Sequence, residues 1–219
     1  STYGDHAKTL NSREVVVKIA VKHMFKEACM FFASEIAQAS TGGIVGGRPK
    51  ASPVIKLFSF LIDKNQVNVE IDFDGQRYPI EIPQGVSTEQ LLTLTAGENA
   101  VYQGDEIEVP LIEIAHARSG DKGNHSNIGV IARKADYLPW IRAALTEQSV
   151  ASYMQHVLDA EKGRVIRYEL PGLNALNFML ENALGGGGIA SLRIDPQGKA
   201  FAQQLLDMPV KVPAHLLEK

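Results

Sequence analysis

The stretch from His116 to Asn127, HARSGDKGNHSN, packs two histidines, an arginine, a lysine, an aspartate, two serines and two asparagines into twelve residues. His116 and His125 titrate near neutrality. Arg118 and Lys122 offer fixed positive charge, and burying that arginine unpaired would cost several kcal/mol. It must therefore reach solvent, a carboxylate or a ligand. Backbone N–H groups around Gly120 and Gly123 can form a nest that holds an anion. Together these groups describe a site for a phosphate or a carboxylate. The same residues are also good turn formers, and Asp121 can simply pair with Arg118 or Lys122. Metal binding through His116, Asp121 and His125 meets no established ligand spacing. Nothing in the spacing brings Ser119 and His125 together as nucleophile and base. A second signal is the run Gly185, Gly186, Gly187 and Gly188. One glycine suffices to end a helix, and four carry an entropic penalty. They read either as a flexible crossover or as a place where a ligand or another backbone comes close.

The elements that must position these groups follow from periodicity. Ile112, Ile114, His116 and Arg118 share one parity, so a strand over 111–118 presents an apolar face that turns basic as it enters the loop. A second strand runs over 127–133. Asp136 and Ser149 are candidate helix caps, with Pro139 in a first turn. Residues 165–170 alternate as a strand. Leu173, Leu176, Leu180 and Leu184 recur at helical spacing, 189–194 reads as a strand, and Asp195-Pro196 opens a last helix. The order β-β-α-α-β-α-β-α predicts an α+β fold, a ferredoxin-like sandwich with an antiparallel sheet and helices on one face.

The first half is less regular. Residues 13–23 alternate as a half-buried strand, 24–39 read as an amphipathic helix, and TGGIVGGRPKASP reads as a long loop. Residues 54–62 are apolar on both parities, as in a central strand. Residues 67–73 and 78–82 form a hairpin about Asp74-Gly75, and Ser87-Thr-Glu-Gln90 resembles a capping box. A domain boundary is expected near 100–109.

The 219 residues suffice for one large domain or two small ones. A net charge of −3 without long blocks of one sign gives no electrostatic footprint for nucleic acid. No apolar run reaches the roughly 18–20 residues of a membrane span. The single Cys29 fits a reducing, cytoplasmic setting. The polar N-terminus lacks the marks of a signal peptide, and its missing Met fits processing or a fragment of a longer chain.

The string AHARSGDKGNHSNIGVIAR resembles a signature of the acyclic terpene utilisation protein A (AtuA-like) family, A-x-x-R-S-G-D-K-G-x-x-x-N-x-G-V-x-A-R. Ala115, Arg118 to Gly123, Asn127, Gly129, Val130, Ala132 and Arg133 supply it. LPGLNALNFMLENALGGGGIASLRIDPQGKAFAQQLLDMPVKVP resembles the family's C-terminal ferredoxin-like domain. REVVVKIAVKH and GGRPKASPVIKLFSFLIDK resemble the close of its large N-terminal domain. The resemblance implies that 1–105 is the end of that α/β domain and 106–219 the ferredoxin-fold domain. It also implies that the first hundred residues receive packing partners from the remainder of the large domain, in cis or in trans. Exposed apolar surface or a homo-oligomer is then expected.

Functionally, the resemblance implies the catabolism of branched acyclic terpenoids as CoA thioesters, with a small-molecule anion or acyl-CoA as partner and no cofactor. On that reading Arg118 and Lys122 bind the anionic group, with Ser119, Gly120, Gly123 and Asn124 around it. Asn127 bonds a substrate oxygen. His116 or His125 transfers protons, Asp121 orients the arginine or a histidine, and Gly185 to Gly188 close over the ligand. The alternative is a non-catalytic assembly module in which the signature is a structural latch.

Overall fold

The computed structural model describes residues 17–36, 38, 49–83, 85 and 104–217. It divides into two compact units, Leu57–Thr95 and the pair of segments Ser1–Lys56 and Ala96–Lys219.

In the first segment of the larger unit, helix α1 spans Lys26–Glu35, with only Ala33 buried. Residues 17–23 form no strand, contrary to their alternation. They have no pairing partner among the described residues, and Val17, Ile19 and Val21 are exposed. In the smaller unit, β1 (Glu70–Phe73) pairs antiparallel with β2 (Gln76–Pro79). Asp74 and Gly75 connect them with φ of 51° and 75°. Two consecutive positive φ values define the turn whose twist matches a hairpin, as Asp-Gly predicts. The expected strand over 54–62 is absent: these residues pair with no strand among the described residues, and Leu57, Phe58, Phe60 and Leu61 are exposed. A strand apolar on both faces needs neighbours along both edges and cover on both sides. No such sheet stands beside it among the described residues. Residues 87–90, the proposed capping box, lie outside the described residues, as do residues 39–48 and the start of the first predicted strand.

The ordered core belongs to the second half. Strand β3 (Glu106–Pro110) leads into a short 3-10 turn, Leu111–Glu113, and then β4 (Ala115–Lys122) and β5 (His125–Ala132) form a hairpin. Helices α2 (Leu138–Ala144) and α3 (Glu147–Tyr153) follow, then β6 (Arg164–Leu170) and β7 (Ala175–Glu181). Helix α4 (Phe201–Leu206) and β8 (Pro209–Pro213) close the domain, with β8 antiparallel to β3. The main sheet has four antiparallel strands in the order β4-β5-β7-β6. Helix α4 packs on β4, α3 on β6, and α2 on β5 and β8. Ile128, Val130, Leu176, Phe178 and Leu180 face these helices almost fully buried. The structure is thus the α+β, ferredoxin-like domain the sequence predicts.

Several local expectations are corrected. Residues 175–181 are a strand, not a helix. A four-residue spacing such as Leu176 to Leu180 is an even number, so it satisfies strand alternation as well as the helical repeat. Phe178 completes the buried set, and Asn177 and Met179 take the other face. Residues 189–194 are turns and bends, because Ala190 and Ser191 donate their backbone N–H groups back to the Gly187 carbonyl. Thr146, not Ser149, caps α3, accepting from the Ser149 N–H at 3.0 Å. Asp195 does accept backbone N–H groups, from Lys199 and Ala200, but the regular helix begins only at Phe201. The 3-10 turn at 111–113 also breaks the parity drawn from Ile112 to Arg118. Ile114 is fully buried while His116 and Arg118 are exposed.

Candidate functional site

The opening string is a β-hairpin rather than a loop. Lys122 pairs with His125 across a two-residue turn, Gly123-Asn124. Gly123 has φ of 67°, which places glycine at the first turn position, where a positive φ is required. Strand alternation then sorts the twelve residues onto two faces.

Facing the helices are Ser119 and Ser126, both buried. Ser119 Oγ donates to the Gly198 carbonyl at 2.6 Å and accepts from the Ala202 N–H at 2.9 Å. Ser126 Oγ donates to the Gly120 carbonyl at 3.0 Å. Ser119 therefore ties β4 to the start of α4. Its hydroxyl is engaged inside the domain, so any part it takes in the cleft's lining is at the margin.

The other face carries His116, Arg118 and Lys122 from β4, and Asn127, Gly129 and Ile131 from β5. An open cleft of about 360 Å³ lies here, lined by Arg118, Ser119, Gly120, Asp121, Lys122, Asn127, Gly129 and Lys199. Lys122 Nζ donates to the Asp121 carbonyl at 3.0 Å and to Asn127 Oδ1 at 3.2 Å. Asn127 Nδ2 in turn donates to Asn177 Oδ1 on β7 at 3.1 Å. Lys199 arrives from the loop before α4, and its Nζ is 4.0 Å from Asp121 Oδ1. Both partners are partly exposed, so this pair neutralises little. Gly120 makes room for it: a Cβ there would sit 3.2 Å from Lys199 Nζ. The Arg118 guanidinium makes no hydrogen bond or ion pair among the described residues. Three cations thus face one carboxylate across a solvent-open cleft.

The two histidines do not share this site. His116 and His125 sit at opposite ends of the hairpin, six β4 positions apart, or roughly 20 Å along the strand. His116 Nε2 faces Arg133 Nη1 at 3.2 Å, a contact in which only the guanidinium can donate. His125 Nδ1 accepts the Asn182 N–H at 2.9 Å, which leaves its ring proton on Nε2. Neither ring lines the cleft, so the expected exchange of protons with a ligand beside Arg118 has no geometric support.

The glycine run also lies elsewhere. Asn124 is the centre of a clasp: its Oδ1 accepts from the Gly186 N–H at 2.6 Å, and its Nδ2 donates to Asn182 Oδ1 at 3.0 Å. Its backbone carbonyl accepts from both Ala183 and Leu184. Gly187, at φ of 84°, approaches so closely that a Cβ would lie 2.7 Å from the Gly123 carbonyl oxygen. Gly185 packs against Arg193 and Gly188 against Gln197. None of Gly185 to Gly188 lines the cleft. The close approach these glycines permit is that of the chain's own backbone, and they hold the hairpin turn rather than cover a ligand.

Sequence reasoning missed Lys199, Asn177 and Gly129 as parts of this surface. Gly129 could be found in the signature itself. Lys199 and Asn177 become visible only through the strand register and the path of the loop before α4. Among the described residues, no three His, Cys, Asp or Glu side chains gather as a metal site would require, and no helix is long and apolar enough to cross a membrane.

A four-stranded antiparallel sheet with all its helices on one face, and a cationic cleft on the other, defines a ferredoxin-like α+β domain. Residues 109–211 match the AtuA ferredoxin-like domain. No curated protein and no solved structure matches the chain.

Proposed function

We propose that this domain binds a small anionic ligand, a carboxylate or the phosphate of an acyl-CoA, on Arg118, Lys122 and Lys199. The observation that carries the reading is Arg118: a guanidinium on an open cleft, beside two more amines, with no partner of its own among the described residues. Such a group presents a planar fork suited to carboxylate or phosphate oxygens. Asn127, held between Lys122 and Asn177, offers a fixed amide beside it. The AtuA-like resemblance supplies the context, the breakdown of branched acyclic terpenoids as CoA thioesters. Neither histidine lines the cleft, and its cations suit the holding of an anion, so the reading is one of binding. Titration calorimetry with inorganic phosphate, coenzyme A and a panel of acyl-CoAs tests it. Arg118→Ala should weaken any ligand that binds the wild type by at least about tenfold, the effect of losing one charged hydrogen bond. Equal affinity in both proteins removes the assignment.

A second reading, assembly, rests on a separate observation. Met24, Phe25 and Phe31 are exposed around α1, and Leu57, Phe58 and Leu61 are exposed in the smaller unit. Surfaces of this kind favour association. A strictly monomeric species in sedimentation across the micromolar range would argue against it.

A further inference from the structure

The register of the sheet carries the ligand's chemistry further than its charge. Directly paired residues point to the same face. Arg118 pairs with Gly129, Gly129 with Asn177, and Asn177 with Tyr168. The adjoining row runs Gly120, Asn127, Met179 and Ile166. The face opposite the helices therefore changes character from edge to edge. It is cationic over β4, amide-lined over β5 and β7, and apolar over β7 and β6. Tyr168 is 48% exposed, and Met179 and Ile166 are half-buried. Between Arg118 and Asn177 the row has no side chain at all, because residue 129 is glycine. A Cβ there would only touch the Arg118 carbonyl and Asn177 Oδ1 at ordinary contact distance, so the glycine leaves a shallow trough rather than relieving a clash. From Arg118 to Tyr168 is three strand spacings, about 14 Å.

We propose that this trough takes an amphiphilic anion, its carboxylate or phosphate head on Arg118 and its hydrocarbon portion laid across Gly129 against Tyr168, Met179 and Ile166. This rests on the anion-binding reading above and adds the apolar half of the ligand. The charge at one end and the missing side chain in the middle favour such a molecule over a flat protein surface. The far edge supplies apolar contact without offering any charge of its own until Arg164, which Glu181 already engages.

The test compares acetate and inorganic phosphate with decanoate and decyl phosphate, below micelle concentration, on the full chain. The amphiphiles should bind at least about tenfold more tightly than their small counterparts, since a few buried methylenes account for that ratio. Tyr168→Ser should erase the gain while leaving acetate and phosphate affinity unchanged, and Arg118→Ala should weaken all four. A gain with either head group supports the proposal. Equal binding of small and amphiphilic anions, still dependent on Arg118, overturns it and leaves the anion site standing. If Arg118→Ala changes no affinity, both readings fall. Circular dichroism confirms that each variant folds. Self-association of the wild type that Tyr168→Ser abolishes would assign the face to a second copy and overturn the proposal.

Discussion

Gly187→Ala tests whether the glycine run is a clasp fixed by its own backbone. Two penalties add. At φ of 84° an L-residue enters the left-handed region, which costs roughly 1–2 kcal/mol. The new methyl would lie 2.7 Å from the carbonyl oxygen and 3.1 Å from the carbonyl carbon of Gly123. Both are backbone atoms of the hairpin turn, so relief requires the turn to shift, an overpacking effect of about 1–3 kcal/mol. The sum is a loss of about 2–5 kcal/mol. Gly188→Ala is the internal control. Gly188 has no positive φ, and its nearest neighbour is the Gln197 side chain at 3.3 Å, which can move aside. Its effect should stay within about 1 kcal/mol. Urea unfolding followed by the fluorescence of Trp140, the only tryptophan, reads the helix packed on this core. If the two substitutions cost the same, the close approach at Gly187 does not hold the turn, and a flexible crossover regains its place.

Three further outcomes follow from the same packing. Ser119→Ala strips the partner from the Ala202 N–H and the Gly198 carbonyl in a buried setting, so unfolding should show a loss of about 1–3 kcal/mol; a neutral result would mean that α4 is anchored by packing alone. Arg142, buried on α2, donates to both oxygens of Glu169, and Arg142→Ala should cost about 3 kcal/mol or more in the same assay, the range for breaking a buried pair. Asp159 accepts the Lys162 and Glu161 backbone N–H groups, which hold its carboxyl below the usual aspartate range. Its stabilisation is thus present above the ordinary aspartate value and is lost as pH falls through the lowered folded value. The gap between wild type and Asp159→Asn should close on going from about pH 6 to about pH 2, and a pH-independent gap would refute the linkage.

Chemical character was easier to read from the sequence than geometry was. The hairpin at Asp74-Gly75, the helix over 138–144 and the alternation of 165–170 were all legible, because each rests on local turn chemistry or a single period. Strand β7 was not, since Leu176 and Leu180 satisfy two periods at once and only the neighbouring strands decide between them. In the signature string, Arg118 and Lys122 could be picked out by type and do line the cleft, but the sorting of His116, Ser119 and His125 was not available. That sorting depends on where β4 begins, and the 3-10 turn at 111–113 resets the parity there. Lys199 joins the cleft from eighty residues away, and no local pattern announces it.

The clasp and the cleft are two sides of one hairpin, and this explains why so specific a string is needed. Ser119 fastens its inner face to the approach of α4, which is also the segment that delivers Lys199, and Ser126 ties the two strands together through the Gly120 carbonyl. Asn124 and His125 fasten its tip to 182–186. Gly120 and Gly123 supply the clearance and the turn. With both ends held by neutral hydrogen bonds, Arg118 is free of structural duty and its charge remains uncommitted. An arginine left unpaired in a cleft whose carboxylate, Asp121, stands beside Lys199 instead is what the proposed anion site requires. The hairpin thus has two faces: Ser119 and Ser126 lock the inner one, and Arg118, Lys122 and Asn127 line the open cleft on which the proposed anion site rests.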